Sequence, residues 1–265
     1  MLGYSLAGLV VGVAVGATGV GGGSLMTPIL ILFYGVSPAL AVGTDLLYAS
    51  ISKAFAVALH GKNGSVDWKI VGRLAIGSVP AAFLTLAFIH FVGPGPKLDH
   101  IIKLTLSIAV VLTATGTLLR GQLFAFAKHE RFDWLRQLHG RHQNSMTIAS
   151  GVAIGAFVTI SSVGAGVIGM MLLLLIYPRH ESIKLVGSDL AHAVIITAIA
   201  GLGHAALGTV NYELLLSLLI GAIPGIYIGT RLGFRLPDRA LRPLIAGLLL
   251  FIGAGMLTKA IAAQF

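Results

Sequence analysis

The chain has 265 residues, 56% of them hydrophobic and 10% charged, with a mean hydropathy of +0.94 and a formal net charge of +9. So much apolar surface excludes an ordinary water-soluble domain. With no cysteine, disulfides, zinc-thiolate sites and thiol nucleophiles are excluded as well. The basic balance is that of a membrane protein with Lys and Arg in its inner loops, and nucleic acid is not expected as a partner.

In chain order, the first apolar segment covers 4 to 34, with no basic stretch ahead of it of the kind a secretory signal carries, so it is expected to be retained in the fold. It is interrupted by "GATGVGGGSLMTP" at 16 to 28. Three spans follow at 38 to 59, 68 to 92 and 101 to 119. A polar stretch, "RGQLFAFAKHERFDWLRQLHGRHQNS", comes next, with five Lys and Arg against two acids. The second half brings another broken segment at 147 to 177, then spans at 184 to 204, 212 to 231 and 241 to 262. Runs such as Leu104 to Leu119, Leu190 to Leu202 and Leu214 to Ile228 hold no charged residue, which fits helices rather than the alternating strands of a barrel. The fold class expected is all-α: a polytopic membrane protein with a first repeat at 1-119, a cytoplasmic linker at 120-146 and a second repeat at 147-265.

The repeat rests on an offset of 144 residues. It lays "VGTDLLYASISKAFAVALHGKNGSVDWKIVGRLAIGSVPA" over "VGSDLAHAVIITAIAGLGHAALGTVNYELLLSLLIGAIPG", pairing Asp45 with Asp189, His60 with His204 and Pro80 with Pro224. Upstream, "GVAVGA" (12 to 17) echoes "GVAIGA" (151 to 156) and "VGGGSL" (20 to 25) lies over "VGAGVI" (163 to 168), which implies a five-residue insertion in the second copy. Four arginines in "RLGFRLPDRALRP" (231 to 243) place that loop inside, and its counterpart "GPGPKLDH" (93 to 100) outside. The halves are then inverted, provided each broken segment crosses an even number of times. A single crossing would make them parallel, so six spans plus hairpins, eight or ten crossings all remain open.

Irregular backbone at membrane depth is tolerated where it is buried in protein or lines a wet cavity. Gly21, Gly22 and Gly23 allow the chain to turn, Ser24 is expected to cap the helix that follows, and Pro28 to sit in its first turn. Such a break aims amides and a helix dipole at the membrane interior, where they can hold an anion. Gly164 and Gly166 repeat the arrangement. Glycines at four-residue spacing, including Gly12 and Gly16, read instead as helix-packing positions.

Thr44 and Ser188 precede the paired acids and are expected to give hydroxyls to the substrate. Asp45 and Asp189 have two readings, proton coupling or architecture. Lys53, midway along a span, either snorkels, pairs with an acid or attracts anions, and His60, His192 and His204 are secondary candidates for which packing is the plainer account. No metal site or cofactor is expected. HExxH, GxSxG and GxxxxGK[ST] are absent, which speaks against an enzyme or an ATP-driven pump.

"GATGVGGGSLMTPIL", "AVGTDLLYASISK" and "LVGSDLAHA" together resemble the TauE/SafE family of sulfite exporter-like permeases, over residues 5 to 262. That resemblance implies a small duplicated protein of the bacterial inner membrane. It would move sulfur-containing oxyanions or organosulfonates such as sulfite, thiosulfate or sulfoacetate, coupled to protons. The family's glycine-rich segment maps onto Gly21, Gly22 and Gly23, and a second patch onto Gly43, Thr44 and Asp45; "SVGAG" in the second half departs from "GVGGG" in the first. The function expected is a secondary transporter working by alternating access, with the lipid bilayer, a small anion and protons as partners and a homo-oligomer left open. A passive anion channel and a non-transporting sensor or scaffold are the alternatives.

Overall fold

The computed structural model describes residues 2–18, 23–60, 66–128, 133–178, 180–233 and 238–262. They form α1 (Leu2–Thr18), α2 (Gly23–Phe33), α3 (Pro38–His60), α4 (Trp68–Val92), α5 (Pro96–Lys128), α6 (Asp133–Ser161), α7 (Val167–Ile176), α8 (Ser182–Ala206), α9 (Tyr212–Gly233) and α10 (Asp238–Ala262). No strand occurs among the described residues. Among the described residues, six stretches are long and apolar enough to cross a membrane: 38–58, 68–92, 96–119, 142–161, 183–206 and 212–231. Apolar side chains such as Leu84, Phe91, Ile220 and Phe251 point outward, as a lipid-facing surface requires.

The polar stretch after residue 119 is largely helical, because α5 runs on to Lys128 and α6 begins at Asp133. Hydropathy reports where a helix leaves the apolar layer, not where it ends.

Each half begins with a long helix, a break and a short helix. The short helices run back along the long ones, as the hydrogen bonds at their ends show. The Tyr34 hydroxyl, just past α2, donates to the Gly3 carbonyl at the start of α1 (2.7 Å). Tyr177, just past α7, pairs its hydroxyl with that of Thr147 on α6 (2.9 Å). Both broken segments are therefore hairpins.

Helix directions follow from close backbone approaches. Gly8, Gly12 and Gly16 of α1 lie against Leu218, Ala222 and Ile226 of α9, so these two helices are parallel. Leu74 and Ser78 of α4 meet Gly151 and Gly155 of α6 in the same sense. Any Cβ at these glycines would run into the facing main chain, and their absence is what lets the helices approach so closely. In contrast, α3 and α8 are antiparallel: Gly43 lies by His204, Leu47 by Gly201, and the Ser50 hydroxyl donates to the Val194 carbonyl (3.4 Å).

Positions with equal packing roles in α1 and α6, such as Gly8 and Gly151, lie 143 residues apart. The letter echo between 12–17 and 151–156 is thus one helical turn out of register, and the five-residue insertion it implied is not needed. Glycine at four-residue spacing matches itself as well after a shift of one turn.

Candidate functional site

The antiparallel helices α3 and α8 cross near Ser50 and Val194, close to the middle of each. Asp45 and Asp189 lie about five residues on either side of that crossing, each about 10 Å along its helix from the start, at 1.5 Å per residue. Both are buried, as is Lys53; among the described residues no other Asp, Glu, Lys or Arg is.

Each aspartate is set against the short helix of its own half. Thr27 of α2 donates its hydroxyl to Asp45 Oδ2. Asp189 Oδ1 lies against Gly169 in the first turn of α7, where a Cβ would collide with it. The other expectations at the first break meet the structure in part. Gly21 and Gly22 lie outside the described residues, Gly23 opens α2, and Ser24 is buried within the first turn instead of preceding it. Pro28 sits further in, at the sixth residue of α2, where its missing N–H cannot serve the Ser24 carbonyl.

The second break is described throughout. Ser162 has φ 60°, and Gly164 and Gly166 have φ 113° and 134°, backbone that only glycine adopts readily. Gly166 is the N-cap of α7 and gives no side-chain cap. Two N–H groups of the first turn are engaged from within the break, Gly169 with the Gly164 carbonyl (3.3 Å) and Met170 with that of Gly166 (3.1 Å). As at any helix start, the N–H groups of Val167 and Ile168 have no partner within the helix, and both residues are half-buried.

Thr44 and Ser188 are placed at helix caps. Thr44 accepts the N–H of Asn211 at the start of α9 (3.0 Å), and Ser188 accepts the N–H of Asp67, the N-cap of α4 (2.8 Å). Asp67 and Asn211 are themselves 144 residues apart. Asp67 Oδ1 accepts from the N–H of Lys69, and Asn211 Oδ1 from that of Leu214. Each half thereby holds the capping residue of a helix in the other.

His192 and His204 are held by hydrogen bonds between packed helices. His204 Nε2 donates to the Thr159 carbonyl (2.9 Å) while Nδ1 faces the Thr209 hydroxyl (2.8 Å), so both ring nitrogens are engaged. His192 Nε2 pairs with the Ser78 hydroxyl of α4 (2.8 Å). His60 is the last residue of α3, and its side chain lies outside what is described.

Among the described residues, four buried polar atoms near this crossing make no hydrogen bond of regular geometry: Asp45 Oδ1, Tyr48 OH, Ser52 Oγ and Ser162 Oγ. Asp45, Tyr48 and Ser52 follow one face of α3 at spacings of three and four; the Ser162 hydroxyl of the second break faces the Asp45 carboxylate, and that of Ser52 faces Tyr48. Beside them Lys53 donates from Nζ to the Ala165 carbonyl (2.9 Å), within the same break. Lys53 also interacts electrostatically with Asp189 and Asp45. The sequence reading singled out Asp45 and Lys53 but passed over Thr27, Ser52 and Ser162; the i, i+3, i+7 spacing of 45, 48 and 52 was the available signal. No group of three or more His, Cys, Asp or Glu side chains capable of holding a metal occurs among the described residues.

Among the described residues, helices with outward-facing apolar side chains and three buried charged residues, Asp45, Lys53 and Asp189, define a multi-pass membrane protein built around a polar core. Residues 4–256 match the model of the family described as "Sulfite exporter TauE/SafE". The chain belongs to that family, which consists of membrane transporters and not enzymes. It is 38% identical over 249 residues to the "Probable membrane transporter protein YjnA" of Bacillus subtilis (strain 168), covering 94% of this chain and 96% of that one. It is 28% identical to a "Probable membrane transporter protein" of Xylella fastidiosa (strain Temecula1 / ATCC 700964), over 86% and 83% of the two chains. It is 23% identical to the "Probable membrane transporter protein MJ0441" of Methanocaldococcus jannaschii, over 95% and 93%. No solved structure matches the chain.

Proposed function

We propose that this transporter moves a small sulfur-containing oxyanion or organosulfonate, of the sulfite, thiosulfate or sulfoacetate kind, across the inner membrane by proton-coupled alternating access. The observation that carries the reading is the buried centre where Asp45, Tyr48 and Ser52 of α3 meet Ser162 at the second break. Hydroxyls and uncapped amides suit an acceptor-rich anion: they donate to it without the cost of burying a full charge for each contact. Amides at Gly164 to Ile168, with those at the start of α2 near Gly23 and Ser24, would hold the oxyanion. Thr44 and Ser188 are engaged at caps, which leaves the substrate-facing hydroxyl role to Ser52 and Ser162.

Asp45 is the group suited to carry the coupling proton. Its Oδ1 makes no hydrogen bond of regular geometry and faces the Ser162 hydroxyl, which can donate to a carboxylate or accept from a carboxylic acid. Asp189, set against Gly169, serves the architecture of α7.

Antiparallel α3 and α8, hairpins in both halves and caps exchanged between halves support two inverted repeats hinged at the α3–α8 crossing. In that arrangement 61–67, 120–146, 177–184 and 231–243 share the cytoplasmic side, where the positive-inside rule puts their basic residues.

The test is uptake of radiolabelled sulfite, thiosulfate and sulfoacetate into proteoliposomes with and without an imposed pH gradient, for the native chain and Asp45→Asn. Saturable flux that follows the gradient, with the gradient response lost in Asp45→Asn, is the expected result. Absence of flux for all three anions under every gradient would overturn the substrate class. Flux indifferent to the gradient and without counterflow would make the protein a channel.

A further inference from the structure

Resting on that reading, we infer that Lys53 supplies the positive charge that admits the anion, and that the protein therefore has one anion site, on the second break, not two related by its internal repetition. Lys53 is 2% exposed and sits three residues from Ser50, near mid-span. A buried ammonium there is costly and calls for compensation.

One of its three N–H donors is spent on the Ala165 carbonyl, the residue before the N-cap of α7. A cation thus stands at the start of that helix, which no side chain caps, near the Ser162 and Ser52 hydroxyls, whose contacts to Asp45 and Tyr48 fall short of regular hydrogen-bond geometry. Ammonium, helix amides and hydroxyls all donate and none needs to receive, which is the donor set a compact oxyanion takes.

The position 144 residues along from Lys53 is Thr197, whose hydroxyl is turned back to the Ala193 carbonyl of its own helix (2.7 Å). The position paired with Tyr48 is His192, held by Ser78. Among the described residues, no buried cation stands on α8 as the counterpart of Lys53.

Two buried carboxylates and one ammonium leave the centre with an excess of one negative charge when all are ionised. An entering anion meets net repulsion unless Lys53 lies next to it and one carboxyl is protonated. Lys53 thus ties anion binding to the proton on Asp45.

A bystander role exists for Lys53, as counter-ion to Asp189. The experiment that separates the two is a double-mutant cycle in purified detergent-solubilised protein, reading sulfite and thiosulfate affinity by equilibrium binding. The variants are Lys53→Gln, Asp189→Asn and the two combined, with Lys53→Arg as the charge-keeping control. We expect Lys53→Gln to weaken anion binding at least tenfold in both backgrounds, and Lys53→Arg to weaken it less than Lys53→Gln. One anion should bind per chain. If Lys53→Gln costs less than threefold in the Asp189→Asn background, Lys53 only neutralises Asp189 and the inference is overturned; a stoichiometry of two overturns the single site. Should Lys53→Gln alone fail to fold because it strands Asp189, the combined variant compared with Asp189→Asn still decides the question. No binding of either anion by the native chain would instead sink the substrate reading and the Lys53 assignment with it.

Discussion

Thr44 on α3 accepts the main-chain N–H of Asn211, so a helix of the first half holds the residue that caps a helix of the second. Ser188 does the same for Asp67 in the opposite direction. These bonds tie the ends of α3 and α8 to the starts of α9 and α4, and any relative movement of the halves has to carry or break them.

Removing either hydroxyl should cost about 1 kcal/mol, the usual loss when a helix-start N–H forfeits its partner. Thr44→Val and Ser188→Ala are each expected to lower the thermal unfolding temperature in detergent, and Thr44→Ser to restore it. Being at opposite ends of the α3–α8 pair, the two losses should add in the double variant. An unchanged melting curve for Thr44→Val would show that the cap contributes nothing.

Asp45 draws the hydroxyl of Thr27 to its Oδ2 while Oδ1 has no hydrogen bond of regular geometry. Thr27→Val keeps the shape and removes the donor. The expected destabilisation is about 1–3 kcal/mol, the desolvation penalty of an acceptor left buried, and Asp45→Asn in the same background should reduce it. Thermal unfolding of the native chain, the two single variants and the double variant measures this. A Thr27→Val loss that persists undiminished in the Asp45→Asn background would point to packing instead.

Gly221 faces the Ser5 carbonyl and Gly12 approaches Ala222, whereas Gly247 and Gly255 on α10 have nothing within 4 Å of an added Cβ. Gly12→Leu and Gly221→Val must therefore push α1 from α9, while Gly247→Ala and Gly255→Ala are expected to be neutral or slightly stabilising, since alanine favours helix. Yield of monodisperse protein and unfolding temperature should separate the two pairs. Equal behaviour of all four would refute the close approach of α1 and α9.

The absence of cysteine makes topology directly testable. Single substitutions Ser37→Cys and Tyr212→Cys should react with a membrane-impermeant maleimide from the outside of intact cells. Trp68→Cys and Glu181→Cys should react only after the membrane is opened. Labelling of Ser37→Cys and Glu181→Cys from the same side would exclude the hairpin arrangement of α6 with α7.

Much of this was legible in the sequence. Hydrophobic runs marked the helices, since an apolar stretch of span length has one stable backbone in lipid. The 144-residue offset picked out the acids, and glycine runs located both breaks. These signals are local in the chain or repeat within it.

What the sequence could not assign was the partner of each polar side chain. From the sequence, Thr44 and Ser188 are candidate substrate hydroxyls; their bonds to Asn211 and Asp67, 167 and 121 residues away, are set by packing. Lys53 read as a lone mid-span lysine, and only packing brings it to the Ala165 carbonyl, 112 residues on. Composition and periodicity determine which residues must be buried in a membrane. Which buried donor meets which acceptor depends on helix crossings far apart in the chain, and there the tertiary structure alone decides.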